Sequence, residues 1–232
     1  VGFSPAEGWL DEAALEGLRH IVPPAGEPVA QRWSKATRAR IRESRTGALH
    51  LLKTACQRAS LAPRIVSASA VGLYGSSPEI KTEESPSGEG FLADVVNEWE
   101  SAAAELGKLG GGHVVFRIGL VISTHGGFLP RLLPLYRFGL GAPLASGKQF
   151  QSWIHIADLV QMLATALERP DWNGAYNAVA PAAVSQQKFS QTLAAVLRRP
   201  HFFPHVPAWA LRLWFGEAAE ALLASHQVQP SR

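Results

Sequence analysis

Residues 113–122 read HVVFRIGLVI. So continuous an apolar and β-branched run suits a strand buried on both faces, and such strands belong to parallel sheets covered by helices. The chain upstream has the matching rhythm. A short apolar strand is expected at residues 19–23 (RHIVP), a long helix at 31–59, a strand at 64–69 and a second helix at 91–107. In the first helix Trp33, Thr37, Ile41, Ser44, Ala48, Leu51, Leu52 and Ala55 recur at helical spacing, and Pro63 stands beyond its end. In the second, Leu92, Val95, Val96, Trp99, Ala102 and Ala103 fall on one side. Strand, helix, strand, helix, strand at these spacings argues for right-handed crossovers and a parallel sheet. Residues 76–90, rich in Ser, Pro, Glu and Gly, read as a surface loop.

After Gly126 and Gly127 the pattern loosens. A short helix is expected at 128–138, a Gly- and Pro-broken loop at 139–148, and a strand at 174–179. A helix at 158–169 has Asp158 as its cap, with Gln161 in capping-box position, and His155 between two isoleucines reads as a buried core group. Two more helices are expected at 185–198 and 207–225. The fold class that follows is α/β, a doubly wound parallel sheet with a small, mostly helical C-terminal lobe. Residues 1–150 form the sheet domain; 151–232 hold a strand that crosses back and the lobe.

The nine residues Ser67 to Gly75, SASAVGLYG, run from a strand into an open turn. In open α/β sheets, ligands bind at the carboxyl ends of strands, and small side chains let a flat ligand approach the backbone. Ser67, Ser69 and Tyr74 place hydroxyls at that edge; the plainer alternative is a strand end with ordinary turn residues. The densest basic run, Arg32 to Arg45, is either a solvated helix face or a site for a phosphate-bearing ligand. No further basic tract accompanies it, which argues against nucleic acid as a partner.

Other chemistries find little support. There is no nucleophile elbow G-x-S-x-G and no P-loop. His201 and His205 are four apart, but Pro200, Pro204 and Pro207 forbid the helix that would bring them together, so no metal site is expected. The single cysteine, Cys56, rules out a disulfide within the chain. A reducing, cytoplasmic location follows as the expectation. No apolar run reaches bilayer-spanning length and no targeting segment is visible, so no membrane partner is expected.

Taken together, AGEP (25–28) with RW (32–33), IRESR (41–45), SASAVGLYG (67–75), TEESP (82–86) with FLADVVNEWE (91–100), and FRIGLVIS (116–123) through the segment 126–160 with its RFGLG and SWIHIAD motifs resemble one family. It is the atypical extended short-chain dehydrogenase/reductases known as epimerase family proteins, some of them labelled cell-division-inhibitor homologues. The resemblance covers nearly the whole chain. It implies an NADP(H)-binding Rossmann domain, a small substrate lobe, a small-molecule substrate and a monomer or homodimer. The glycine-rich G-x-G-x-x-G turn of such folds is not in the sequence. By the resemblance it lies upstream of Val1, on the order of fifty residues away, and the last segment, ASHQVQPSR, normally continues into a further helix. Poor NADP(H) binding by residues 1–232 alone is therefore expected.

Carried over residue by residue, the resemblance places Pro24, Ala25, Gly26 and Glu27 in the loop beside the cofactor, with Pro24 where the family usually has Leu. Arg40, Ser44 and Arg45 face the cofactor from the helix, Arg45 as a phosphate contact. Ser67 and Ala68 lie beside the nicotinamide, and Arg117, Gly119 and Val121 on the strand that closes over it. Better-known relatives carry Tyr-x-x-x-Lys on the following helix, where Lys lowers the Tyr pKa for acid/base work. Here Phe91 or Leu92 stands at the Tyr position and Val95 or Val96 at the Lys position. Two functions follow as expectations. One is an NADP(H)-dependent oxidoreductase or epimerase-like enzyme, with Ser69 orienting the substrate and Tyr74 as proton donor. The other is a nucleotide-sensing or scaffold protein that kept the fold and lost catalysis.

Overall fold

A computed structural model describes residues 2–23 and 26–232. Strands β1 (Phe3–Ser4) and β2 (Trp9–Leu10) pair antiparallel ahead of the main sheet. The core then alternates β3 (His20–Ile21), α1 (Lys35–Arg58), β4 (Arg64–Ala70), β5 (Ser77–Lys81), α2 (Phe91–Gly107), β6 (His113–Ile118) and β7 (Leu120–Ile122). It continues through α3 (Leu129–Arg137), β8 (Phe150–Gln151), β9 (Trp153–His155), α4 (Ile156–Glu168) and β10 (Gly174–Ala178). The C-terminal lobe adds β11 (Val184–Ser185), α5 (Gln186–Val196), α6 (Ala208–Phe215), α7 (Ala219–Leu223) and β12 (His226–Val228).

The main sheet has the order β10-β6-β4-β3, all parallel. This is the α/β architecture that the strand–helix rhythm implies. Helices α1 and α2 cover one face, where Leu49, Cys56, Ile65, Trp99 and Leu106 are buried together. Helix α4 covers the other, over Val66, Val114, Phe116 and Ala178. The β-branched run of β4 and β6 is thus buried on both faces, as such runs require. Ser34 starts α1 by accepting a hydrogen bond from the Thr37 amide at 3.1 Å. Arg64, buried at the start of β4, donates to the carbonyls of Ala166, Arg169 and Trp172 at 2.6–2.7 Å. It satisfies acceptors that the end of α4 leaves open, so one cation locks that helix onto the sheet. Among the described residues, no helix is long and apolar enough to cross a membrane.

Several local expectations need correction. The first strand shortens to His20–Ile21, and α1 begins at Lys35. The strand 113–122 breaks at Gly119, where a Cβ would come within 2.6 Å of the Ser152 carbonyl oxygen and 2.9 Å of Val179 Cγ1. The chain changes partner there, since β6 stays in the main sheet and β7 pairs with β9. The loop 76–90 contains β5, whose partner β12 lies at the far end of the sequence. Helix α4 opens two residues early, and its cap is His155, whose Nδ1 accepts from the Ala157 amide at 3.2 Å. His155 is exposed rather than buried, and Asp158 sits within the first turn, where its charge meets the helix dipole. The helix expected over 207–225 is split at Gly216 into α6 and α7.

Candidate functional site

The register of the sheet brings Ser69 of β4 opposite Arg117 of β6. Both project toward α2. The Arg117 guanidinium grips Glu100 bidentately, Nε to Oε1 at 3.0 Å and Nη2 to Oε2 at 2.9 Å. Ser69 Oγ donates to Glu100 Oε1 at 2.5 Å. Arg117 Nη1 reaches the Tyr74 hydroxyl and the Glu83 carbonyl, each at 3.0 Å. Tyr74 in turn donates to Asn177 Oδ1 of β10 at 2.8 Å. Burial works against the Arg117 cation, yet the Glu100 carboxylate and the Tyr74 hydroxyl outweigh it and hold its pKa above the ordinary value. Burial pushes the Tyr74 phenol up despite Arg117, so it keeps its proton.

This network gives protein partners to three residues that the sequence reading names. Ser69 and Tyr74 are almost fully buried and spend their hydroxyls on protein partners. Arg117 is committed to Glu100. Their geometry is that of a polar core joining three strand ends. Ser67 is also buried and lies 3.4 Å from His113 Nε2, whose pKa burial lowers.

The network reaches the chain's last residues. The Glu83 carboxylate accepts from the Asn177 amide at 2.8 Å and from the Ser231 amide and hydroxyl at 3.0 and 2.5 Å. Burial raises the Glu83 pKa, but these hydrogen bonds outweigh it and the net shift is downward. A carboxyl depressed in the folded state contributes stability above its unfolded pKa and loses it as pH falls through the folded value. Glu83→Gln should therefore melt below the parent at neutral pH, with the gap closing below about pH 4. Melting curves across pH 3–7 check this (a range of about four units); a gap that stays constant would refute it.

The loop after β3 lies beside the carboxyl half of β4, because β3 and β4 are neighbours in the sheet. Pro24 and Ala25 lie outside the described residues. The Glu27 amide donates to Ser44 Oγ at 2.9 Å, and its carboxylate accepts from Gln31 at 2.9 Å with Arg40 Nε at 3.5 Å. The Gln31 hydrogen bond is the main reason its pKa is lowered. Arg45 packs against Gly26 and lies 5.3 Å from the Trp99 ring centroid. Its guanidinium donates to the carbonyls of Ile41 at 2.8 Å and of Glu27 at 3.2 and 3.3 Å. Arg45 thus ties the loop to α1; it does not present a free fork to a phosphate. Arg40 is the more exposed cation of this cluster.

What stays open at the sheet edge is built from small residues. Ala68, Ala70 and Gly72 are partly exposed between buried neighbours, Ala68 also packing against the core under α1 and α2 and Ala70 against the cluster of Val71, Tyr74 and Val96. Among the described residues, chain neighbours aside, a Cβ on Gly72 would meet Leu92 Cβ alone, at 3.8 Å. Phe91, beside Leu92, packs edge-on against Trp33 with centroids 5.0 Å apart, and the Arg38 guanidinium lies 4.9 Å from the Phe91 centroid. Val95 and Val96 are buried. The positions where the family resemblance sets Tyr and Lys are therefore apolar and packed. Across the edge, Arg32 donates to the Leu213 carbonyl at 3.1 Å and Arg38 pairs with Glu217, so the lobe is tied to the start of α1. Gly119 is the break between β6 and β7, and Val121 is the middle residue of β7. The signal missed in the sequence was Glu100: a carboxylate in FLADVVNEWE whose partner stands 17 residues on, in the next strand.

The arrangement matches known proteins. Residues 7–179 match the family described as NAD dependent epimerase/dehydratase. The chain is 36% identical over 222 residues to the epimerase family protein SDR39U1 homolog, chloroplastic, of Arabidopsis thaliana. That alignment covers 94% of this chain and 63% of the relative, so the chain spans under two thirds of that relative's length. It is 37% identical over 232 residues to an epimerase family protein of Mycobacterium bovis, covering 99% of the chain and 76% of the relative. Among solved structures, the human epimerase family protein SDR39U1 (isoform2) with NADPH is similar at a TM-score of 0.83 and 34% identity, covering 91% of this chain and 73% of that one. The fold is that of NAD(P)-binding Rossmann epimerases and dehydratases.

Proposed function

The chain belongs to the NAD dependent epimerase/dehydratase family, and from that we propose that it binds NADP(H) across the carboxyl ends of β3, β4 and β6 and serves oxidoreductase or epimerase-like chemistry on a small molecule. The observation that carries this is the open edge of Ala68, Ala70 and Gly72, bordered by the Gly26–Glu27 loop. Small, partly exposed residues beside an apolar wall fit a flat ring. When bound, a nicotinamide cofactor supplies or accepts hydride. The solved human relative described with NADPH supports the NADP form.

On this reading Ala68, Gly72 and the Gly26–Glu27 loop meet the nicotinamide half, Arg40 offers a cation to the ribose side, and Gly119 and Val121 border the far wall. Leu92 and Phe91 exclude water from the ring. Ser69 and Tyr74 act as positioning residues through Glu100 and Asn177. Trp209, Leu213 and Trp214, all exposed on α6, form an apolar wall for substrate. A second reading, a nucleotide-binding protein without turnover, is favoured by the burial of Ser69 and Tyr74 and by the apolar residues at the Tyr and Lys positions.

Because the sequence holds no G-x-G-x-x-G turn, residues 1–232 should bind NADPH weakly. Pyrophosphate contacts at a helix N-terminus supply several charge-assisted hydrogen bonds of about 1.5–3 kcal/mol each. Saturation-transfer NMR with NADPH in excess detects such binding and says which end makes contact. We expect saturation on the nicotinamide protons and little on the adenine. Equal transfer to both, or none, sinks the assignment. NADPH consumption with a panel of carbonyl compounds separates the enzyme from the non-catalytic reading.

A further inference from the structure

Away from the sheet edge, the C-terminal end of α3 and the turn after α5 meet. A Cβ on Gly139 would come 3.3 Å from Pro200 Cγ. Tyr136 and His201 are bridged by Ser190, at 2.5 Å from the Tyr136 hydroxyl and 2.8 Å from His201 Nε2. This polar tie and the Gly139–Pro200 approach hold the two segments side by side, which brings the stretch around Phe138 and Leu140 near Arg199 and Phe202. They expose large apolar side chains: Phe138 is 81% exposed, Phe202 73% and Val196 73%. Leu140 adds to the patch.

The charge that these two segments carry is of one sign. Arg137, Arg198 and Arg199 are exposed, and none makes an ion pair among the described residues. Arg198 keeps a left-handed φ of 53°, a conformation that favours glycine. No acidic residue occurs between Glu105 and Asp158, nor between Asp171 and Glu217, so neither segment supplies a counter-charge.

We propose that this face docks on an anionic lipid surface, with Phe138, Phe202, Val196 and Leu140 entering the interface and Arg137, Arg198 and Arg199 meeting the headgroups. Apolar side chains flanked by unpaired cations have two free-energy terms to satisfy, and a bilayer rich in anionic lipid satisfies both. A second copy of this chain through a two-fold contact would set like charges against each other. A nucleic acid would answer the arginines and leave Val196 and Leu140 without a partner. The sequence expectation of no membrane partner rests on the lack of a spanning segment, which a surface patch does not need.

The test is co-sedimentation of the protein with vesicles of phosphatidylserine and phosphatidylcholine in about equal parts, against phosphatidylcholine alone. We expect binding to the mixed vesicles at least about tenfold tighter than to phosphatidylcholine, and release on raising salt. Phe138→Ser with Phe202→Ser, and separately Arg198→Glu with Arg199→Glu, should each weaken binding to the mixed vesicles by about tenfold or more. All four side chains are exposed, so the melting temperature should hold for both variants. Three results overturn the proposal: no binding to the mixed vesicles, equal binding to both kinds, or wild-type binding by the variants. Self-association in sedimentation velocity that the same substitutions abolish would give the face to a second copy instead.

Discussion

Arg117→Met should cost this protein about 3–5 kcal/mol of stability, the range for removing one partner of a buried ion pair. The side chains of Arg117 and Glu100 are 12% and 17% exposed. Removing the guanidinium leaves the Glu100 carboxylate buried with only Ser69 as a donor and strips the Tyr74 hydroxyl of its cation. For a chain of this size each kcal/mol is worth about 2–4 °C, so the melting temperature should fall by about 6–20 °C. The effect should shrink in the double variant with Glu100→Gln, because the uncompensated charge has gone. A double-mutant cycle by thermal denaturation measures this. Additive losses would show that the two groups are independent, which the bidentate geometry does not allow.

Much of the fold was legible because its cause is local. The apolar runs Ile65–Val66 of β4 and Val114–Phe116 of β6 are buried between helices, and α2 ends where its periodicity and Gly107 say it should. The failures share one physical origin, which is pairing over long sequence separations. SPEIK at residues 77–81 has the composition of a loop and becomes a strand only because β12 arrives beside it. Gly119 looks like a glycine inside a strand; that Ser152 and Val179 crowd it is a tertiary fact. His155 caps α4 from a position that reads as core, since it is the last residue of β9, with Ile154 of that strand before it and Ile156, the first residue of the helix, after it.

The site was legible as a place and less so as a set of contacts. Sequence spacing brought the small-residue edge, the Gly26–Glu27 loop and the α1 cations to one end of the sheet. It did not tell which way each side chain points. Alternation along β4 buries Ser67 and Ser69 and leaves Ala68 and Ala70 partly exposed, so the hydroxyls that draw attention in the sequence meet protein partners while the alanines stand at the strand end. Likewise Arg45 has the charge for a phosphate, but its position over Trp99 and beneath Glu27 spends it on carbonyls.

Gly72→Leu should abolish the nicotinamide contact while leaving the fold intact, and it separates the site from the scaffold better than Ser69 does. A large residue at Ser69 would displace the bond to Glu100 and destabilise the network, so loss of binding there would say nothing about the opening. At Gly72 the backbone is not left-handed, and among the described residues, chain neighbours aside, an added Cβ would meet Leu92 Cβ alone, at 3.8 Å, an ordinary van der Waals distance. The new side chain therefore grows into open space at the carboxyl end of β4, where hydride chemistry demands close contact and a fixed orientation. Stability should change by less than about 1 kcal/mol, as for a surface substitution without strain. The saturation-transfer signal on the nicotinamide protons should fall by about tenfold or more, a loss of about 1.4 kcal/mol or more in binding. Gly72→Ala should retain most of it, because one methyl group leaves most of the opening free. If Gly72→Leu melts with the parent and keeps the parent's nicotinamide signal, the cofactor does not lie along this strand end, and the opening beside Leu92 serves something else.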